Sequence, residues 1–192
     1  MKPFGRTSLA VVLLLTSLIG RPAIAENIDE RLYEVLHDSY RSSEMDVLMK
    51  AATRLGDHPA ILGGSLLLAT YGGPKEREAS KLLFTGLVGT QAMVGGLKYG
   101  VNRPRPEGLE SPRTNSSFPS GHAAGAFVVA TVLADRYRAY RVPLYVGASA
   151  VCFSRVYLGR HYPVDVLVGA LLGYVGAKVT LHFEKRVLKI SF

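Results

Sequence analysis

From residue 59 onward the apolar residues come in blocks. Four runs, at 59–73, 82–97, 123–134 and 142–153, are followed by a fifth at 164–183, and each is rich in Gly and Ala. Blocks without strict alternation predict helices, and small residues suit helices that pack closely against one another in lipid. Most runs fall short of the about 20 residues that one bilayer crossing takes, so the buried helices of a soluble protein are the competing expectation. Upstream, residues 26–56 carry Leu32, Val35 and Leu36, then Met45, Leu48, Met49 and Ala52, at helical spacing among charges. That pattern predicts two short amphipathic helices parted near Ser42 and Ser43. The first 25 residues have a targeting shape: Lys2 and Arg6, the apolar stretch Leu9 to Ile19, then small residues at Ala23 and Ala25. This reads as a secretory signal cut after Ala25 or as a retained amino-terminal anchor, and either puts Glu26 outside the cytoplasm. The expected organisation is a leader or anchor over 1–25, amphipathic extracytoplasmic helices over 26–56 and a helical core over 57–192, all-α throughout.

Composition narrows this picture and charge decides more of it. With 192 residues the chain is long enough for one domain with a sizeable core. The apolar fraction is 48% and the mean hydropathy +0.17, high for a soluble domain and modest for a chain made wholly of spans. The net charge of +8 calls for an anionic partner: nucleic acid, lipid headgroups or a phosphorylated substrate. If Glu26 is outside, the connections on the inside carry Lys75, Arg77 and Lys81, then Arg136, Arg138 and Arg141, then the tail "EKRVLKISF". Basic connections favour the cytoplasm, so the chain reads as a membrane-embedded helical bundle with five or six crossings, a soluble secreted bundle being the alternative. The opposite connections, 98–122 and 154–163, are basic as well and break the rule unless their charges have another task. The single cysteine, Cys152, lies in an apolar run and reads as a small buried hydrophobe; one cysteine allows neither an intramolecular disulfide nor a Cys-based zinc site.

Those two rule-breaking connections hold the candidate chemistry. Lys98, Arg105 and Arg155 are cationic donors, and an arginine fork matches two phosphate oxygens at once. Ser120 and Gly121 stand where a helix begins, so their N–H groups and the Ser120 hydroxyl can meet an anion with the help of the helix dipole. His161 is followed four residues later by Asp165, which Pro163 places in the first turn of the next helix. A carboxylate that accepts the N–H of one imidazole nitrogen leaves the other free to attack phosphorus. His122 is then available as the proton donor to the departing oxygen. No carboxylate cluster typical of a magnesium or zinc site accompanies the set, so metal independence is expected.

The segments "KYGVNRPRP", "PSGH" and "SRVYLGRHYPVD" contain, in order, K-x6-R-P at Lys98, Arg105 and Pro106, then Pro119 to His122, then S-R-x5-H-x3-D at Ser154, Arg155, His161 and Asp165. The sequence therefore resembles the type 2 phosphatidic acid phosphatase superfamily, which also includes bacterial class A acid phosphatases and vanadium haloperoxidases. The motifs span residues 98–165, and the helical pattern extends the resemblance over about 57–183. The resemblance implies that His161 forms a phosphohistidine supported by Asp165, that His122 is the general acid, and that Lys98, Arg105, Ser120, Gly121 and Arg155 bind phosphate. It further implies no cofactor, with vanadate as an inhibitor, and a membrane lipid phosphatase acting on a phospholipid, a lipid pyrophosphate or a lipid A phosphate. Its site would lie on the outer face of a bacterial cytoplasmic membrane, with no nucleic-acid partner. A soluble periplasmic acid phosphatase and a vanadium-dependent haloperoxidase are the alternatives. Arg103 and Arg160 fall in variable motif positions and read as solvated or headgroup-contacting charges.

Overall fold

A computed structural model describes residues 22–106, 108 and 113–189, with side chains from residue 28. The leader or anchor expected over 1–25 lies outside the described residues except for its end, which forms the start of the first helix. The helices are α1 Pro22–Asp38, α2 Ser43–Arg54, α3 His58–Tyr71, α4 Pro74–Val101, α5 Gly121–Arg136, α6 Arg141–Tyr157, α7 Pro163–His182 and the short α8 Glu184–Val187. Short 3₁₀ turns lie at Arg113–Asn115 and Arg138–Tyr140. No strand occurs among the described residues, in keeping with the all-α expectation.

The amphipathic pair parts where the polar pattern predicts. Ser42 caps α2 by accepting the Met45 N–H at 3.2 Å, and Glu44 and Asp46 sit in its first turn, where carboxylates favour the positive end of the helix dipole. One connection expected to be a polar loop is helical instead: α4 runs 28 residues and takes in the charged stretch from Pro74 to Lys81. Pro74 is well suited to a first helical turn, Lys75, Glu76, Arg77 and Glu78 are good helix formers or tolerated there, and Ala79 is fully buried. At its other end α4 stops at Asn102, whose left-handed φ of 49° turns the chain away.

The bundle is organised around α5, which packs on α4, α6 and α7. Two glycines allow α7 its close approach. A Cβ on Gly169 would lie 2.3 Å from the Ser120 carbonyl oxygen, and one on Gly173 would lie 2.1 Å from that of Ala124. Toward the other end of the bundle, Leu82, Leu83, Leu87, Val128, Val132 and Ala177 form the largest apolar cluster. The outward faces are also apolar: Leu62, Leu66 and Leu67 on α3, Phe84, Val88 and Met93 on α4, Val142 and Val146 on α6, and Leu167 on α7 are exposed. Among the described residues one helix, α7, is long and apolar enough to cross a membrane by length and composition. The 14, 16 and 17 residues of α3, α5 and α6 rise about 21–26 Å at ~1.5 Å each, less than the ~30 Å of a hydrocarbon core. Helix length thus does not supply the expected count of five or six crossings.

Alternating helix directions gather the starts of α3, α5 and α7 with the ends of α2, α4 and α6. At the opposite end, Tyr137 donates to Glu76 at 2.7 Å, Arg136 to Glu184 at 2.8 Å, and the Lys75 ammonium lies over the Tyr137 ring.

Candidate active site

At the first of these ends is a cavity of about 240 Å³ lined by His58, Gln91, Val94, Gly95, Lys98, Arg105, Asn115, Gly121, His122, Arg155 and His161. The two basic connections therefore converge, and Lys98, Arg105, Gly121, His122, Arg155 and His161 share one space. Ser120 and Asp165 do not line it; both are fully buried behind it.

His161 follows α6 in the turn before α7 and is 2% exposed. Its Nδ1 lies 2.8 Å from the Ser117 carbonyl. A carbonyl only accepts, so Nδ1 carries the proton and Nε2 keeps its lone pair. Burial pulls the imidazole down to about 4, with the Arg155 and Arg105 charges acting in the same direction and Asp165 against them. The ring is thus neutral at pH 7, the state in which an imidazole nitrogen can attack an electrophile.

The direct contact expected between Asp165 and His161 is replaced by an indirect one: Asp165 Oδ2 stands 3.8 Å from His161 Nδ1. Asp165 instead accepts the Ser117 hydroxyl and the Tyr162 N–H, the latter at 3.0 Å, so the carboxylate holds the residue whose carbonyl orients His161. The Tyr162 contact also ties the third residue of α7 to the peptide before the helix, a capping arrangement that begins at Pro163.

Arg103 corrects the expectation of a solvated charge. Its Nη1 lies 2.8 Å from Asp165 Oδ1 and 2.8 Å from Asp29 Oδ2, and its guanidinium stacks 4.0 Å above the Tyr162 ring centroid. Asp29, on α1, is buried and accepts the Val164 N–H at 2.9 Å at the start of α7. The amino-terminal amphipathic helix is therefore part of the support of the site. Arg160 is exposed, as expected, while its carbonyl accepts Arg105 Nη1 at 2.9 Å.

The cationic residues are held by neutral acceptors. Lys98 Nζ donates to the Ser116 carbonyl, Arg105 Nη2 to Asn115 Oδ1 at 2.8 Å, and Arg155 Nη1 to Thr53 Oγ1 at 2.7 Å. Ser120 serves the helix rather than the cavity: its Oγ accepts the Ala123 N–H at 3.4 Å and its own N–H donates to the Asp165 carbonyl at 2.9 Å. The positive end of the α5 dipole is left to the cavity at Gly121 and His122.

His122 Nε2 lies 2.8 Å from Asp57 Oδ1. Burial first, and Arg155 second, lower the His122 imidazole to about 4, while Asp57 pulls the other way. Asp57 and His58, residues with no place in the three motifs, are additions that only the fold reveals. Among the described residues no group of three or more His, Cys, Asp or Glu side chains is placed to hold a metal ion.

A family model described as PAP2 superfamily matches residues 79–189. Undecaprenyl-diphosphatase BcrC of Bacillus subtilis is 26% identical over 159 residues, which cover 75% of this chain and 80% of that protein. Decaprenylphosphoryl-5-phosphoribose phosphatase of Mycobacterium tuberculosis is 31% identical over 160 residues, covering 71% of this chain and 88% of that protein. The crystal structure described as the first transmembrane PAP2 type phosphatidylglycerolphosphate phosphatase from Bacillus subtilis shares the fold, with a TM-score of 0.77, 23% identity, and coverage of 96% of this chain and 98% of that one.

Proposed function

Because the chain belongs to the PAP2 superfamily, we propose that it is a membrane phosphatase that hydrolyses a lipid phosphate monoester or pyrophosphate through a phosphohistidine at His161. The observation that carries this reading is the cavity itself, where a neutral, buried imidazole faces Lys98, Arg105, Arg155 and a helix start. The cations and the α5 dipole draw in the phosphoryl oxygens and offset the charge that develops on them. His161 Nε2 forms a bond to phosphorus while the bond from phosphorus to the ester or bridging oxygen breaks, and His122 gives that oxygen its proton. In the second half His122 takes a proton from water, whose oxygen displaces His161 from phosphorus and releases inorganic phosphate. Ser117, Asp165 and Arg103 keep His161 in the reactive tautomer throughout.

The exposed apolar faces of α3, α4, α6 and α7 favour a chain embedded in lipid, with the tails of the substrate beside them. Two relatives are named for substrates built on a polyprenyl chain, an undecaprenyl diphosphate and a decaprenylphosphoryl-5-phosphoribose, which makes polyprenyl-linked phosphates the first to assay, ahead of phospholipid and lipid A phosphates. The test uses detergent-purified protein and substrate carrying radioactive phosphorus in the group transferred. Wild type is expected to release phosphate and to yield an acid-labile phosphoenzyme on quenching, and His161→Ala to do neither while still unfolding cooperatively in a melting curve. Turnover by His161→Ala at the wild-type rate refutes the mechanism. Lys98, Arg105 and Arg155 provide the positive charge needed at the phosphoryl group, so activity is expected to survive EDTA and to be inhibited by vanadate. A loss in EDTA that magnesium restores refutes that assignment. Bromide oxidation by the vanadate-loaded protein favours the haloperoxidase instead.

A further inference from the structure

The connection between α2 and α3, Leu55-Gly56-Asp57, leads into His58 and Pro59 at the start of α3 and packs against His122. Asp57 stands in the capping position of α3, yet its side chain makes no capping hydrogen bond to that helix. Its carboxylate crosses instead to α5 and meets His122 Nε2 at 2.8 Å. Gly56 permits this approach: a Cβ there would lie 2.6 Å from Val151 Cγ1 on α6 and 3.5 Å from the His122 Cβ. His58, the next residue, lines the cavity with its ring edge-on to His122, the centroids 5.8 Å apart. A short loop thus presents a carboxylate to one nitrogen of the general acid and closes the wall beside it.

We infer that Asp57 is the positioning residue of the general acid, a role that rests on the phosphatase reading above: it accepts the Nε2–H of His122, so that Nδ1 carries the proton delivered to the leaving oxygen. A carboxylate in this place does two things. It fixes the tautomer and the ring orientation, and it favours the imidazolium over the neutral ring. The groups that face His122 set its charge balance: Asp57 and His58 from the start of α3, Arg155 from α6, and across the cavity Lys98, Arg105 and His161. Asp57 is the anion among these, set against three permanent or near-permanent cations. Burial and Arg155 outweigh Asp57 and hold the imidazole of the empty site near 4, so the negative charge of the bound phosphoryl group, added to that of the carboxylate, is what raises it toward the protonated form.

The sign of the pH effect follows. The general acid works protonated, so kcat falls as pH rises through the His122 value in the substrate complex. Asp57→Asn keeps an oxygen acceptor and removes the charge, which lowers that value and moves the alkaline limb toward acid by about 1 pH unit. The effect depends on the leaving group, because a good one needs no proton. With a lipid monophosphate, whose leaving oxygen is an alkoxide, kcat is expected to fall about 10- to 100-fold with KM little changed. With p-nitrophenyl phosphate the loss is expected to stay within about twofold, as a fraction of the general-acid contribution. Asp57→Glu, which restores the charge on a longer arm, is expected to return the alkaline limb to its wild-type position. Because the carboxylate caps nothing on its own helix, Asp57→Asn is expected to fold, and a melting curve checks it. If it does not fold, Asp57→Glu carries the test: its loss with the lipid monophosphate must exceed its loss with p-nitrophenyl phosphate. Equal losses for the two substrates, or an unshifted alkaline limb in folded Asp57→Asn, overturn the inference. If wild type forms no phosphoenzyme, the phosphatase reading itself has failed, an outcome separate from any property of Asp57.

Discussion

At the scale of single residues, the problem the protein solves is how to bury charge next to an imidazole that the proposed mechanism needs neutral. Asp165 is fully buried, and a buried carboxylate is costly unless paired. Arg103 is the pair, shared with Asp29 and stacked on Tyr162. Arg103→Ala would leave two buried carboxylates facing each other, and is expected to cost about 3–5 kcal/mol in thermal or denaturant unfolding, the range for breaking a buried pair by removing one partner. A loss below ~1 kcal/mol, the range of surface pairs, would show that the network is solvated. The depressed His161 value has two consequences. Its folded value near 4 lies below the ordinary 6.5, so the unfolded chain binds the proton more readily, and this group withdraws stability as pH falls from about 6.5 toward 4. The imidazole also stays neutral well into acid: the His161 ring resonances of the free protein, assigned with His161→Ala, are expected to titrate near 4, and titration near 6.5 would refute the assigned environment. Lys98, Arg105, Gly121, His122, Arg155 and His161 were legible in the sequence because each lies in a short, ordered motif. Asp57 was not, since 65 positions separate it from His122, and Asp29 stands in a helix whose spacing signals only amphipathicity. Arg103 stands at a variable motif position, where a basic residue reads as a solvated charge; only its partners distinguish it.

At the scale of elements, the site depends on how closely α5 and α7 approach, because one brings His122 and the other follows His161. Gly169 and Gly173 lie four positions apart on one face of α7 and press on the first turns of α5. Gly173→Ala forces the pair apart against backbone, and is expected to cost about 1–3 kcal/mol as overpacking does. The displacement also separates the two histidines, and a shift of about 1 Å is enough to lower the rate by ~100-fold. Gly63→Ala on α3 is the matched control: nothing lies within 4 Å of its added Cβ, so activity is expected to be kept and stability to be unchanged or raised by a few tenths of a kcal/mol. Equal effects at the two positions would detach the close approach from the chemistry. The helices of the core were legible as apolar blocks, and Ser42 and Pro163 marked starts correctly. The start of α4 is not legible, because a charged stretch without apolar periodicity predicts a loop; Lys75 through Glu78 occupy a helix's first turns, whose polar faces need no apolar pattern.

At the scale of the whole molecule, the two ends of the bundle differ in their chemistry, and the difference predicts an orientation. The arrival of both catalytic connections at one end was legible from counting apolar runs, since two runs separate them, whereas the number of membrane crossings was not, because several helices are shorter than a bilayer. The basic residues at the cavity end are engaged with one another's neighbours: Arg103 with Asp165 and Asp29, Arg105 with Asn115, Arg155 with Thr53. They are committed to the site and say little about topology. At the other end Lys75, Arg77, Arg138 and Arg141 are left to decide it, and basic connections favour the cytoplasm. The cavity is therefore expected to face outward, open to a lipid phosphate in the outer leaflet. The single Cys152 permits a direct test after Cys152→Ala. Thr114→Cys lies in the 3₁₀ turn at the cavity end and Tyr140→Cys in the one at the far end; both positions are exposed and neither change alters charge. In intact spheroplasts an impermeant thiol reagent is expected to label the cysteine at 114 at once and the cysteine at 140 only after lysis. The reverse pattern would turn the cavity toward the cytoplasmic leaflet. Labelling of both before lysis, with the protein recovered in the soluble fraction after a carbonate wash, would remove it from the membrane and favour a secreted acid phosphatase.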